Sequence, residues 1–289
     1  VTVKLSANRP FLPVVKLPGA QSAQDVLAEG WLRELYQGIA DTMDTERSQQ
    51  TKIGISEIGH KCQKCLARKL SGLYPDDGGS PEDGWKAQVG TMGHAYLEEH
   101  FGARWRERVV HPGESTPRLS EGWDGQAPTD ERPWFYLEHT VHVDSYRGME
   151  LDGHCDLYIR GATFGMVVDW KFPGPPKMKE FAAGKPGQVY EIQQNTYGFG
   201  WALQGFPVTH VCLFALPREG NLDDASPNLA RFEPERTIER LELVHQLIDV
   251  AEMAGWPSVI STAPAATFCY DCKRYNKLEQ RGFLSAMFE

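Results

Sequence analysis

Two short cysteine pairs, KCQKC and CYDC, stand near opposite ends of the chain. Within each pair two residues separate the thiols, a spacing at which both can grip one metal ion. If Cys62, Cys65, Cys269 and Cys272 share one site, the fold must bring the two ends of everything between them together. The expected staple is a 4Fe–4S cluster or a structural Zn²⁺. The opening residues VTVKLSANRPFLPVVKLPGA carry no compact apolar core of the export-signal kind. A cytoplasmic setting, bacterial or phage-borne inside a host, is therefore expected, and disulfides are not. The other two cysteines, Cys155 in GHCD and Cys212 in VTHVCLFAL, are expected in the core.

No apolar run approaches the roughly 20 residues that cross a membrane, so no membrane partner is expected. The formal charge of −9 disfavours a protein that coats polyphosphate. It is compatible with a nuclease, which needs carboxylates for metals and only a local basic groove for the strand.

Hydrophobic periodicity predicts an amphipathic helix over 21–47, after an irregular, proline-punctuated start. A short helix over ISEIGHKCQKCLARKLSGL is expected, with Ser56 as cap and Gly72 as stop. A longer helix over 85–108 comes next, followed by an irregular stretch over 112–132. Three strands are expected in WFYLEHTVHV, MELDGHCDLYIR and FGMVVDWKF, then a loop over FPGPPKMKEFAAGKPG and a helix over 188–203. VTHVCLFALP reads as another strand with a polar loop behind it, and ERTIERLELVHQLIDVAEMAG as a long helix. The order predicts an α/β fold with a central mixed sheet flanked by helices. Residues 1–50 are expected as an N-terminal helical extension, and 51–289 as the main domain closed by the cysteine centre.

FGMVVDWKF ends in an acid and a base at i and i+2, so Asp169 and Lys171 face one side of a strand. Asp156 lies on the preceding strand. If the strands pair, two carboxylates converge beside an ammonium, an oxygen-rich site for Mg²⁺ or Mn²⁺. D-x-K alone is a common tripeptide whose ordinary reading is a strand-end salt bridge. Two helices add to it: Gly90, His94 and Glu98 share a helical face, as do Gln193 and Tyr197.

In this order, the blocks G-x-x-x-H (Gly90, His94), G-x-x-D (Gly153, Asp156), D-x-K (Asp169, Lys171) and Q-x-x-x-Y (Gln193, Tyr197) resemble the RecB-like branch of the PD-(D/E)XK nuclease superfamily. The second acid is Asp where many members carry Glu. The resemblance implies a nuclease core in which His94, Asp156, Asp169 and the main-chain carbonyl of Trp170 hold the metal. Lys171 would activate water, and Gln193 and Tyr197 would position the site or the DNA backbone. The CRISPR-associated and phage exonucleases of that branch hold a 4Fe–4S cluster on one cysteine before the core and three after it. Here the distribution is two and two; the resemblance implies the 4Fe–4S cluster on Cys62, Cys65, Cys269 and Cys272, with structural Zn²⁺ as the alternative.

The resemblance implies a Mg²⁺- or Mn²⁺-dependent deoxyribonuclease, an exonuclease rather than an endonuclease. Its partner would be single-stranded DNA or DNA with free ends, in recombination, repair or CRISPR-type processing. Lys177, Lys179 and Lys185, in a basic loop beside the site, and Arg68 are the expected DNA contacts. The alternative is an inactive module that binds DNA ends and keeps a structural zinc or iron–sulfur site.

Overall fold

The computed structural model describes residues 52–74, 81–104, 106–112, 134–161 and 165–280. The helix expected over 21–47 lies outside them, as does all but the first residue of the irregular stretch expected over 112–132. The chain divides into two compact units, 1–49 with 79–88 and 50–78 with 89–289. Apart from residues 81–88, everything below belongs to the second.

Among the described residues, six strands form one mixed sheet in chain order: β1 (Val109–Val110), β2 (Trp134–Tyr146), β3 (Met149–Arg160), β4 (Gly165–Lys171), β5 (His210–Ala215) and β6 (Ser226–Arg231). β2 and β3 form a hairpin closed by Arg147 and Gly148, with φ of 46° and 82°. Positive φ at both positions matches the right-handed twist of the flanking strands. β4 and β5 run parallel, so the chain must cross over between them. It does so through α4 (Pro175–Ala182) and α5 (Gln188–Leu203). The residues around α4, expected as loop, form a helix because Pro175 and Pro176 open it where their missing N–H groups are not needed. β1 and β6 were not expected. β6 is a largely exposed edge strand without the apolar alternation that marks a buried one.

The single helix expected around the first cysteines is two. α1 (Ile55–Ile58) ends at Gly59, and α2 (Gln63–Leu70) starts afresh with Cys62 as its N-cap. Gly54 rather than Ser56 caps α1, and its N–H donates to the Glu57 carboxylate at 3.2 Å. Gly72 lies just past α2 with φ +80°, as a stop residue should. α3 (Pro81–Arg104) starts and ends four residues earlier than expected. α6 (Pro234–Ala254) is separated from the second cysteine pair by α7 (Trp256–Thr262), and α8 (Tyr270–Gln280) begins within that pair.

The sheet is buried on both faces. Val141, Val143, Leu151, Cys155, Tyr158, Val167 and Val211 join one apolar layer with Trp201 of α5 and Leu241 and Val244 of α6. Leu137, Leu157, Val168, Trp170 and Cys212 form the opposite layer, against which Leu97 and Phe101 of α3 pack. Leu137 and Val141 are an even number of residues apart yet lie in different layers, as do Cys155 and Leu157. An undisturbed strand places such residues on one face. The phase changes at Glu138, whose φ is +51°, and at Asp156 across from it. Register pairs Leu137 with Leu157 and His139 with Cys155, and skips the two acids between.

α5 lies close on β2, where a Cβ on Gly200 would come within 2.9 Å of Val141 Cβ. One residue on, Trp201 is 1% exposed, stacks on Tyr158 at 4.5 Å and meets Phe206 edge-on at 4.8 Å. Because this aromatic cluster seats α5, Trp201→Ala is expected to cost about 3–5 kcal/mol in denaturant unfolding.

Candidate active site and metal centre

The β3–β4 ladder runs from Arg160↔Gly165 only to Leu157↔Val168. Two residues beyond Val168, the Trp170 N–H donates to Oδ2 of Asp156, the neighbour of Leu157, at 2.6 Å, so a carboxylate takes the place of a ladder bond. The strands splay there, and the gap is where the expected residues meet. His94 of α3 enters from one face, with Nδ1 3.3 Å from Asp156 Oδ1. Asp169 and Lys171 face the other side, their charged atoms 2.6 Å apart. Gln193 of α5 donates to Asp169 Oδ1 at 3.4 Å, and Tyr197, one turn on, is buried against the same group. His94, Asp156, Asp169, Lys171 and Gln193 are thus brought together from four elements. Trp170 presents its backbone to this gap and its ring to the apolar layer.

The glycines of the first two blocks differ in use. A Cβ on Gly90 would meet nothing within 4 Å, whereas one on Gly93 would fall 2.4 Å from the Phe172 ring. Gly93 is therefore the residue that lets α3 approach β4 beside His94. A Cβ on Gly153 would lie 2.6 Å from Ile55, so that glycine admits α1 against β3.

Asp169 is 1% exposed, and burial pushes its carboxyl up to about 6, with Lys171 only partly offsetting this. Lys171 is itself raised: burial opposes its charge, but Asp169 and Asp156 outweigh that. His94 is raised too, since Asp156 outweighs its burial. Asp169 Oδ2 lies against the Lys171 ammonium at 2.6 Å. The Asp156 carboxylate with the His94 imidazole beside it is the kind of donor set a divalent cation takes.

Sequence reasoning missed one residue. Glu138 projects a carboxylate oxygen within 4.8 Å of ligand atoms of both His94 and Asp156. Burial, then the charges of Asp156 and Glu98, push its carboxyl up to about 7. Its only mark in the sequence is a lone acid between Leu137 and His139.

Cys62, Cys65, Cys269 and Cys272 converge as expected. Their sulfurs lie 3.3 Å (Cys65–Cys272), 3.5 Å (Cys62–Cys272) and 3.6 Å (Cys65–Cys269) apart. A tetrahedron of Zn–S bonds of about 2.3 Å has edges of about 3.8 Å. The four thiols are thus gathered closely enough to serve one metal centre. Around the centre, His60 Nε2 lies 3.0 Å from Asp271, whose carboxyl it holds below the usual range. The Tyr275 hydroxyl donates to the Leu73 carbonyl at 2.7 Å.

Arg68, an expected DNA contact, does not lie at the surface. It is 1% exposed, with its guanidinium over the Tyr275 ring at 4.6 Å, because its place on α2 points it at α8. Lys177 and Lys179 lie on helix α4 rather than a loop. Lys177 pairs with Glu180 at 2.5 Å and, like Lys171, lies over the Tyr190 ring. Lys179 and Lys185 are exposed. Among the described residues no helix is long and apolar enough to cross a membrane.

No protein-family model matches the sequence, and no curated protein matches it. Among solved structures the chain is similar to SSO0001, with 11% identity and a TM-score of 0.43, covering 76% of this chain and 85% of that one. It is also similar to the alkaline exonuclease LHK-Exo from Laribacter hongkongensis, with 15% identity and a TM-score of 0.42, covering 71% and 90%. LHK-Exo in complex with dAMP gives 15% and 0.42, covering 75% and 93%.

The raised carboxyls set a pH dependence for the cation-free protein. The folded state holds their protons above pH 4 and the unfolded chain does not, so stability falls as pH rises through about 6–7. Asp169→Asn should remove its share. In chelator, between pH 5 and 7.5, the wild-type melting temperature should drop by about 2–4 °C more than that of the variant, per kcal/mol of linkage.

Proposed function

We propose that this chain is a RecB-like, metal-dependent deoxyribonuclease that hydrolyses phosphodiester bonds at DNA ends. The observation that carries the reading is the meeting of His94, Asp156, Asp169 and Lys171 in one gap of the sheet. His94, Asp156, Asp169 and the Trp170 carbonyl would hold Mg²⁺ or Mn²⁺. In an extended strand that carbonyl points to the same flank as the N–H bonded to Asp156. The ion supplies Lewis-acid stabilisation of a phosphoryl oxygen. Lys171 is held charged by its two acids, and it orients the attacking water and offsets charge that develops on the phosphate. Gln193 holds Asp169 in place, and Tyr197 supports Gln193. Lys177, with Lys179 and Lys185 outside it, offers positive charge next to Lys171 for the DNA backbone. The leaning to exonuclease over endonuclease comes from the family resemblance. For the cysteine centre, the sulfur spacing supports a single Zn²⁺.

Two experiments test these readings. Wild type is expected to degrade linear DNA with Mn²⁺ and to spare covalently closed circles. Lys171→Ala and Asp169→Asn should each lower that rate about a hundredfold or more. End binding without cleavage by the wild type would instead indicate the inactive module, and cleavage of closed circles an endonuclease. Protein purified without oxygen should be colourless with one zinc per chain. A brown solution containing iron and sulfide would instead identify the centre as the 4Fe–4S cluster that the resemblance implies.

A further inference from the structure

We propose that Glu138 is a direct ligand of the divalent cation, forming with His94 and Asp156 a three-residue coordinating face. The inference rests on the nuclease reading for its purpose, but not for its geometry.

Three features of the fold carry it. The ligand atoms of Glu138, His94 and Asp156 lie within 4.8 Å of one another, close enough for one ion to touch all three. Glu138 and Asp156 face each other where the β2–β3 register passes over one residue on each strand, at the point where both strands change phase. A regular strand would give Glu138 the opposite face from Leu137. The turn of phase brings it to the side where α3 and His94 lie. Finally, Asp169 does not belong to this tight group. Its Oδ2 lies 2.6 Å from the Lys171 ammonium and its Oδ1 accepts from Gln193. Asp156 therefore stands between two clusters, one of ligands without an ammonium and one built around Lys171. With Glu138 in place, a cation on the His94 side has three protein ligands before Asp169 contributes. Two carboxylates and one imidazole favour Mn²⁺ over Mg²⁺, since nitrogen donors suit the transition ion better.

Mn²⁺ titration of the full chain without DNA, followed by calorimetry and by water-proton relaxation, reads this directly. Glu138→Gln keeps the shape of the side chain and removes the ligand charge. It should weaken Mn²⁺ binding at least about tenfold and raise the number of exchanging waters on the bound ion. Glu138→Asp, shorter but still a carboxylate, should recover part of the affinity, which a merely structural role would not. Wild-type affinity and hydration in Glu138→Gln would overturn the proposal, as would absence of Mn²⁺ binding by the wild type. Glu138-dependent binding in a protein that cleaves no DNA would uphold the ligand while ending the nuclease reading. Normal cleavage with Glu138-independent binding would do the reverse. If Glu138→Gln fails to fold, the relaxation of Glu138→Asp decides alone: unchanged hydration and affinity count against the ligand.

Discussion

One hydrogen bond organises the centre of this molecule, the Trp170 N–H donating to the Asp156 carboxylate. At that point β3 and β4 part, and a backbone donor that would be orphaned in a buried sheet needs an acceptor. Asp156 supplies it from within the gap. The same carboxylate that satisfies the backbone also lies beside His94, so the end of the ladder and the chemistry of the site share one side chain. Without the splay, β4 would continue as an ordinary strand, and Asp169 would be a buried acid with only its lysine for company.

The surrounding charges then form a balanced set. Asp169 is almost wholly buried, and Lys171 holds it only part of the way back towards the ordinary carboxylate range. Glu138 is pushed up by burial and by the other acids. Carboxyls raised by burial, and further by neighbouring acids, carry more proton than they would in water, and a cation reverses that by giving the anions a partner. This is the physical link between the protonation of the cation-free protein and the metal-dependent function proposed for it.

The cysteine centre is tied to the same framework from behind. Arg240 of α6 donates to the carbonyls of Ile58 and His60, where α1 ends and the first cysteine segment begins. α1 in turn packs through Ile55 on Gly153 of β3, three residues before Asp156. A staple on Cys62, Cys65, Cys269 and Cys272 therefore holds the segment that backs the acid-bearing strand.

Much of this was legible in the chain as written. Both C-x-x-C pairs, the i, i+2 spacing of Asp169 and Lys171, and the i, i+4 spacing of Gln193 and Tyr197 are local patterns, and the backbone periods of 2.0 and 3.6 convert them into shared faces without outside help. The helix of the 188–203 segment and the strands carrying the acids follow for the same reason. What the sequence could not carry is the phase change. Phe135, Leu137, Val141 and Val143 alternate as if one face ran the length of β2, and Leu151, Cys155, Leu157 and Ile159 do the same on β3. Tertiary packing divides each series between two layers, because a left-handed residue at Glu138 and the matching break at Asp156 let both strands turn together. That choice depends on what lies above and below the sheet, so it is absent from any local period. The burial of Arg68 under α8 is a similar case, since its partner Tyr275 comes from the far end of the chain.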